Sequence, residues 1–259
     1  MNQTLKPSGI VVVNDGSSDA TGEILNKSAH EHGIRVVERP DMGYDIRRVP
    51  SNINLAIESA RDLRTDYLMI SGDDCTYPAQ YAESLVRNMD QNVKIVVASG
   101  RPRHGGVLSQ EHSPSGSGRM VRASFLGNMG DRFPIKAGWE AWLLYQAKQK
   151  GLEAKLFNDL VYEHVRPRGT VHQFIYWGAG MYTLGYHPLY ALGRIAKNLV
   201  KTFSLKQSLG LLKGYVIAVL GSSDPFMTRF DSSTRRFVNA QQKREIIGIV
   251  LSFTRFGSK

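Results

Sequence analysis

The chain has 259 residues, 42% hydrophobic and 22% charged, the balance of a globular protein rather than a disordered or fibrous one. A formal net charge of +10 calls for anionic partners such as nucleic acid, acidic lipid or phosphorylated substrates. The lone Cys75 excludes an internal disulfide framework and a cysteine-based zinc cluster, which fits a reducing compartment and makes the cytoplasm the expected location. The start at Met1-Asn2-Gln3 has no signal-peptide character, and no charge-free apolar run reaches the roughly 18 residues that a bilayer span requires.

To about residue 100, short β-branched runs alternate with segments of helical period, the pattern of βαβ units around a largely parallel sheet. Four strands are expected: Ile10 to Val13, Arg35 to Glu38, Tyr67 to Ile70 and Ile95 to Ala98. Between the second and third, Pro50-Ser51 signals a helix start, and Ile53, Ala56, Ile57, Ala60 and Leu63 form one apolar face. A Gly, Pro, Ser and His-rich stretch from Gly100 to about Gly118 reads as a long loop, either a mobile substrate cover or a solvated excursion. Trp139, Trp142, Leu143, Gln146 and Ala147 then keep helical spacing up to Gly151, with Trp142 and Leu143 expected in the core. From about Leu189 the character changes. Leu192, Ile195, Ala196, Leu199, Val200 and Phe203 share one helical face, Arg194, Lys197 and Lys201 another, and Leu209 to Leu220 forms a second apolar segment. These basic amphipathic helices either lie on a membrane surface or pack on the preceding domain. The division expected is a domain over 1–188 and a helical extension over 189–259.

Two strand ends carry acids. The first strand runs into Asn14-Asp15-Gly16-Ser17, and ligands of open α/β sheets gather beyond the carboxyl ends of strands, so Asp15 is a candidate acceptor of nucleobase or ribose hydrogen bonds, with Gly16 and Ser17 beside it. Asp19 reads as a helix cap. The third strand delivers Asp73 and Asp74 together, a repulsion that a bound Mg²⁺ or Mn²⁺ offsets while neutralising a diphosphate leaving group. Arg119 and Arg122, just after the loop, are candidates to clamp phosphate oxygens of the donor or acceptor, or else form a solvated basic face.

The strings NQTLKPSGIVVVNDGSSDATGEIL (2–25), MISGDDCTYP (69–78) and GWEAWLLYQAKQKG (138–151) resemble the inverting family 2 glycosyltransferases. The resemblance covers residues 1 to about 170. It implies the GT-A fold, a Rossmann-like α/β domain, and transfer of a sugar from a UDP-, GDP- or dTDP-sugar to a glycan or lipid-linked acceptor hydroxyl. It further implies that Asp15, Gly16, Ser17 and Asp73 contact the donor and that Asp73, Asp74 and His164 hold the divalent metal. Arg166 lies close to His164. Asp74 falls on the last acid of the family's Asp-x-Asp motif and Gly72 on the first. Glu140 becomes the base, because Ala141 stands where relatives carry a second acid, although a first-turn capping role is the other reading. Ile53 replaces the Arg of the family's Arg-Asn pair, so Asn54 is given no catalytic role.

Two other readings compete. A palm-type nucleotidyltransferase also uses Gly-Asp-Asp between apolar runs, but it leaves the Asp15 turn unexplained, and no nucleic-acid partner is expected. An inactive relative would bind membrane or a partner through the basic helices, and a peripheral contact at the inner face of the membrane is expected in either case. Relatives begin with a further strand and helix before the position of Asn2, so the expectation is either a true start upstream or a shortened form with an open sheet edge and a poorer donor pocket. A version extended upstream should be more soluble and more active; equal activity of both in a transfer assay would count against this.

Overall fold

The β-branched run Val11-Val12-Val13 forms the first strand, β1 (Val11–Asn14), followed by helix α1 (Thr21–His32) and β2 (Arg35–Glu38). β1 and β2 pair in parallel, Val12 opposite Val36. Next come α2 (Arg48–Ser59), β3 (Tyr67–Ile70), β4 (Cys75–Thr76) and α3 (Tyr81–Gln91). They are followed by β5 (Ile95–His104), β6 (Val107–Leu108), β7 (Arg119–Arg122), α4 (Ala123–Gly127), α5 (Trp139–Gln149) and β8 (Glu153–His164). The C-terminal helices are α6 (Val171–Thr183), α7 (Pro188–Thr202), α8 (Leu205–Leu220) and α9 (Ser232–Phe256). This computed structural model describes residues 2–110, 112–165 and 171–256, with side chains described except at 171–172 and 249–256.

The chain divides into two compact units, Met1–Ile135 with Lys150–Arg168 and Lys136–Gln149 with Gly169–Lys259. In the first, the larger sheet has the order β3-β7-β5-β8-β4, with β6 on β5. The parallel pairing expected from the βαβ pattern holds for β1–β2, and β5–β8, beyond the stretch of that pattern, is parallel as well. The sheet is mixed, because β7 runs antiparallel to β3 and β5, and β4 antiparallel to β8. Tyr81, Leu85 and Met89 recur every four residues along α3 and are fully buried against Ile95, Ala98, Met120 and Tyr162. Gln3 caps that helix: its Oε1 accepts from Ala82 N–H at 2.9 Å and its Nε2 donates to Pro78 O at 2.7 Å.

The Gly100 to Gly118 stretch differs from both loop expectations. Its first residues extend β5 to His104 and turn back through β6. Its end is bonded into the sheet: Ser115 N–H donates to Ser99 Oγ at 2.9 Å, Tyr81 Oη to Gly118 O at 2.8 Å and Tyr162 Oη to Ser117 O at 2.6 Å. Burial pushes the Tyr81 hydroxyl far above its ordinary range, so it stays a neutral donor at every working pH.

In the second unit Leu143 is fully buried, as expected, and Trp142 is half-buried, packed on the cluster of Phe174, Leu184 and Leu211. Asp231 starts α9 by accepting from Thr234 N–H at 2.9 Å. Helices α6 and α8 meet through glycines. A Cβ at Gly178 would lie 2.0 Å from Leu211 O, and one at Gly214 would lie 1.8 Å from Ile175 O. Backbone sits on backbone there, and any side chain would force the helices apart. Gly178→Ala and Gly214→Ala should therefore each destabilise the protein by about 1–3 kcal/mol, read as a lower denaturant midpoint; wild-type midpoints in both would show that the helices are not so close.

Candidate active site

At the end of β1, Asn14 shapes the turn. Its Nδ2 donates to Glu38 Oε2 at 2.8 Å and its Oδ1 accepts from Ser17 N–H at 3.1 Å. Gly16 has φ +81°, and a Cβ there would lie 2.3 Å from Asp41 Cα, so this turn requires glycine. Asp15 stands between two guanidinium groups. Arg48 Nη2 pairs with its carboxylate, and Arg39 Nη1 lies 3.8 Å away. Arg48 also donates to Pro40 O at 3.1 Å, its side chain is 11% exposed, and its Nε and Nη1 are buried without a hydrogen-bond partner among the described residues. The Arg48 guanidinium is thus set behind the Asp15 carboxylate, which is itself 31% exposed and suits a ligand that offers an N–H. Sequence reasoning missed Arg48. Asp19 stands just before the N-cap position Ala20 and accepts from Thr21 N–H at 3.0 Å; hydrogen bonds from the Thr21 hydroxyl and then its backbone N–H hold the carboxyl below the usual range.

The second group is built across β4 and β8. These strands pair antiparallel with Cys75 opposite His164, and Val165 N–H donates to Asp74 O at 2.8 Å. The pairing brings His164 Nδ1 to 3.7 Å from Asp74 Oδ2, with the side chains 19% and 14% exposed. On its other flank the His164 ring lies against His104, centroids 4.6 Å apart. Asp74, Cys75 and His164 each offer a ligand atom within 4.8 Å of one another. Burial raises the Cys75 thiol above its ordinary range. Carboxylate and imidazole so placed fit a divalent cation, and a mixed O,N pair suits Mn²⁺ better than Mg²⁺, which prefers oxygen ligands throughout.

Asp73 is exposed and is not one of these three groups. The glycine at 72 also has a physical reason. A Cβ there would lie 2.7 Å from Asp74 Oδ1 and 3.2 Å from Ser117 Oγ, so the Asp74 carboxylate occupies the space of the missing first acid.

The two arginines expected on phosphate serve the fold instead. Arg119 is 2% exposed and donates from Nε to Ser115 O at 2.8 Å and from Nη2 to Pro114 O at 3.2 Å. Arg122 donates to Met89 O at 2.8 Å and lies over the Tyr67 ring, 5.0 Å from its centroid. Asn54 clamps the Phe133 backbone, accepting from its N–H at 2.8 Å and donating to its O at 2.9 Å. Glu140 stands in the first turn of α5, in the second unit. Arg166 lies outside the described residues.

A profile described as glycosyl transferase family 2 matches residues 1–148. Among solved structures, the mannosyltransferase PcManGT from Pyrobaculum calidifontis, in complex with GDP-Man and Mn²⁺, aligns with TM-score 0.54 and 15% identity over 87% of this chain and 70% of its own. S. aureus TarS aligns with TM-score 0.51 and 15% identity over 69% of this chain and 34% of its own. GalNAc-T7 with UDP, GalNAc and Mn²⁺ aligns with TM-score 0.52 and 10% identity over 69% of this chain and 42% of its own. The chain thus spans about a third of the TarS chain. A search of the curated proteins returned no match. At these identities the likeness shows the fold, which is GT-A, and the polymerase palm is overturned.

The close approach at Gly72 yields a test. Gly72→Ala should displace the Asp74 carboxylate and weaken Mn²⁺ binding about 10-fold, the scale of a disturbed ligand shell, in calorimetric titration. Unchanged affinity would mean that Asp74 is not a ligand.

Proposed function

The chain belongs to glycosyl transferase family 2, and from that membership we propose that it moves a sugar from a nucleotide-sugar to an acceptor hydroxyl by inverting displacement. The observation that carries the reading is the Asp74–His164 pair held across β4 and β8. Asp74 and His164 would hold a divalent cation, which when bound neutralises charge on the departing diphosphate. Mn²⁺ is the favoured ion, in keeping with its presence in the PcManGT and GalNAc-T7 complexes.

Asp15 reads the base in this proposal. The carboxylate accepts a ring N–H, and Arg48, paired with it, holds it in place. Uracil, thymine and guanine present that group; adenine and cytosine lack a ring N–H. UDP-, dTDP- or GDP-sugars are therefore the donor class, and GDP-Man and UDP in the solved relatives agree with it. Glu140 is the base that takes the acceptor proton as the hydroxyl attacks the anomeric carbon and the nucleoside diphosphate leaves with the bonding pair. The acceptor is a glycan or lipid-linked hydroxyl.

Thermal-shift screening with Mn²⁺ should stabilise the protein with a uridine, thymidine or guanosine diphosphate sugar and not with ADP- or CMP-sugars; the reverse pattern would remove Asp15 and Arg48 from base recognition. Asp74→Ala should abolish the Mn²⁺-dependent part of that shift. Glu140→Gln should keep donor binding while transfer falls about 10²–10⁴-fold, and normal turnover would exclude it as the base. Donor binding without turnover in the wild type would favour the inactive binding module.

A further inference from the structure

Helix α8 is apolar on two sides. Ser208, Leu211 and Ala218 are buried on the side that carries Gly214, whereas Leu205, Leu209, Leu212, Val216 and Val219, spaced by four and three residues, form a stripe that is exposed throughout. Helix α7 repeats the arrangement: Ala191 is buried and Ile195 packs on the same core, while Leu189, Leu192, Leu199 and Val200 are exposed. The helices are joined by the turn at Phe203 and Ser204. There Phe203 adopts φ +51°, a left-handed conformation that disfavours a bulky side chain, and it is 90% exposed. An aromatic ring in solvent at a position suited to glycine is not accounted for by packing.

Charge identifies the occupant. Residues 188–220 carry Arg194, Lys197, Lys201, Lys206 and Lys213 and not one Asp or Glu. All five are exposed, and they flank the apolar stripes rather than interrupt them. A second copy would bring the same five cations against these, whereas an anionic lipid headgroup layer complements both the apolar stripe and its basic flank. No described helix is long and apolar enough to cross a membrane, and α8 has 16 residues, so a lipid contact of these helices would run along the surface rather than through it.

We propose that α7, the Phe203 turn and α8 form a monolayer-inserting surface that seats the protein on anionic bilayers, with Phe203 as its deepest side chain. This does not depend on the donor assignment above.

The full chain should cosediment at low salt with phosphatidylcholine vesicles containing phosphatidylglycerol, at least about 10-fold more than with phosphatidylcholine alone, and salt should weaken the binding. Phe203→Asp and Leu209→Asp should each lower partition about 10-fold or more, and replacing Lys197, Lys201, Lys206 and Lys213 with Gln should erase the preference for anionic lipid. These side chains are exposed, so the thermal midpoint should not move. Phe203→Trp should gain emission that is blue-shifted by vesicles and quenched by acyl-chain-labelled lipid, which adsorption by charge alone would not give. Failure to cosediment at low salt, wild-type partition of Phe203→Asp, or a vesicle-independent dimer dissolved by Phe203→Asp would each overturn the proposal, the last by naming a second copy as the occupant.

Discussion

The antiparallel pairing of β4 with β8 is the contact on which the candidate cation site depends. His164 ends β8 between two partners, His104 on β5 and Cys75 on β4, and the bond from Val165 N–H to Asp74 O ties the acid to the same ladder. Both candidate ligands are thus anchored at the backbone by one hydrogen-bonded ladder, which lessens the ordering that cation binding would require. The same sheet explains why the loop before β7 is fixed: Tyr81 and Tyr162 rise from α3 and β8 to hold Gly118 and Ser117.

Much of the first unit was legible because its strands are short apolar runs, and strand position then singled out Asp15, Asp73 and Asp74, of which Asp73 is exposed and outside the Asp74, Cys75 and His164 group. Arg48 was missed because it opens a helix in a polar connection that has no apolar period to read. Its signal was a local conflict: two arginines, Arg47 and Arg48, stand where the helix dipole disfavours cations. Arg119 was misread for the opposite reason. An arginine after a polar loop looks like surface, but β7 lies between β3 and β5, and the side chain turns inward to bond the loop that precedes it. A lone Cys75 speaks in sequence only to disulfides and zinc clusters; that it stands opposite His164 depends on a pairing between residues far apart in sequence. The antiparallel course of β7 has the same origin, since pairing direction leaves no trace in periodicity.

In the second unit, local pattern and packing agree on one side of each helix and part on the other. Small residues let α6 and α8 approach until backbones touch, a mode of association that needs little side-chain surface. The large aliphatic residues of α8 are thereby left to the opposite side, and such exposed stripes are uncommon on a chain with no use for them.

The chain enters the second unit at Lys136, returns at Lys150 and leaves again after Arg168. The match to the family profile ends at residue 148, inside that first excursion. A protein cut there would keep both acid-bearing turns yet lose β8, the strand that lies between β5 and β4. It would have half of the cation pair and an open sheet edge along β5 where β8 belongs. During synthesis the same order applies: the sheet cannot close until α5 has already left the ribosome, so the two units mature as interleaved rather than successive bodies.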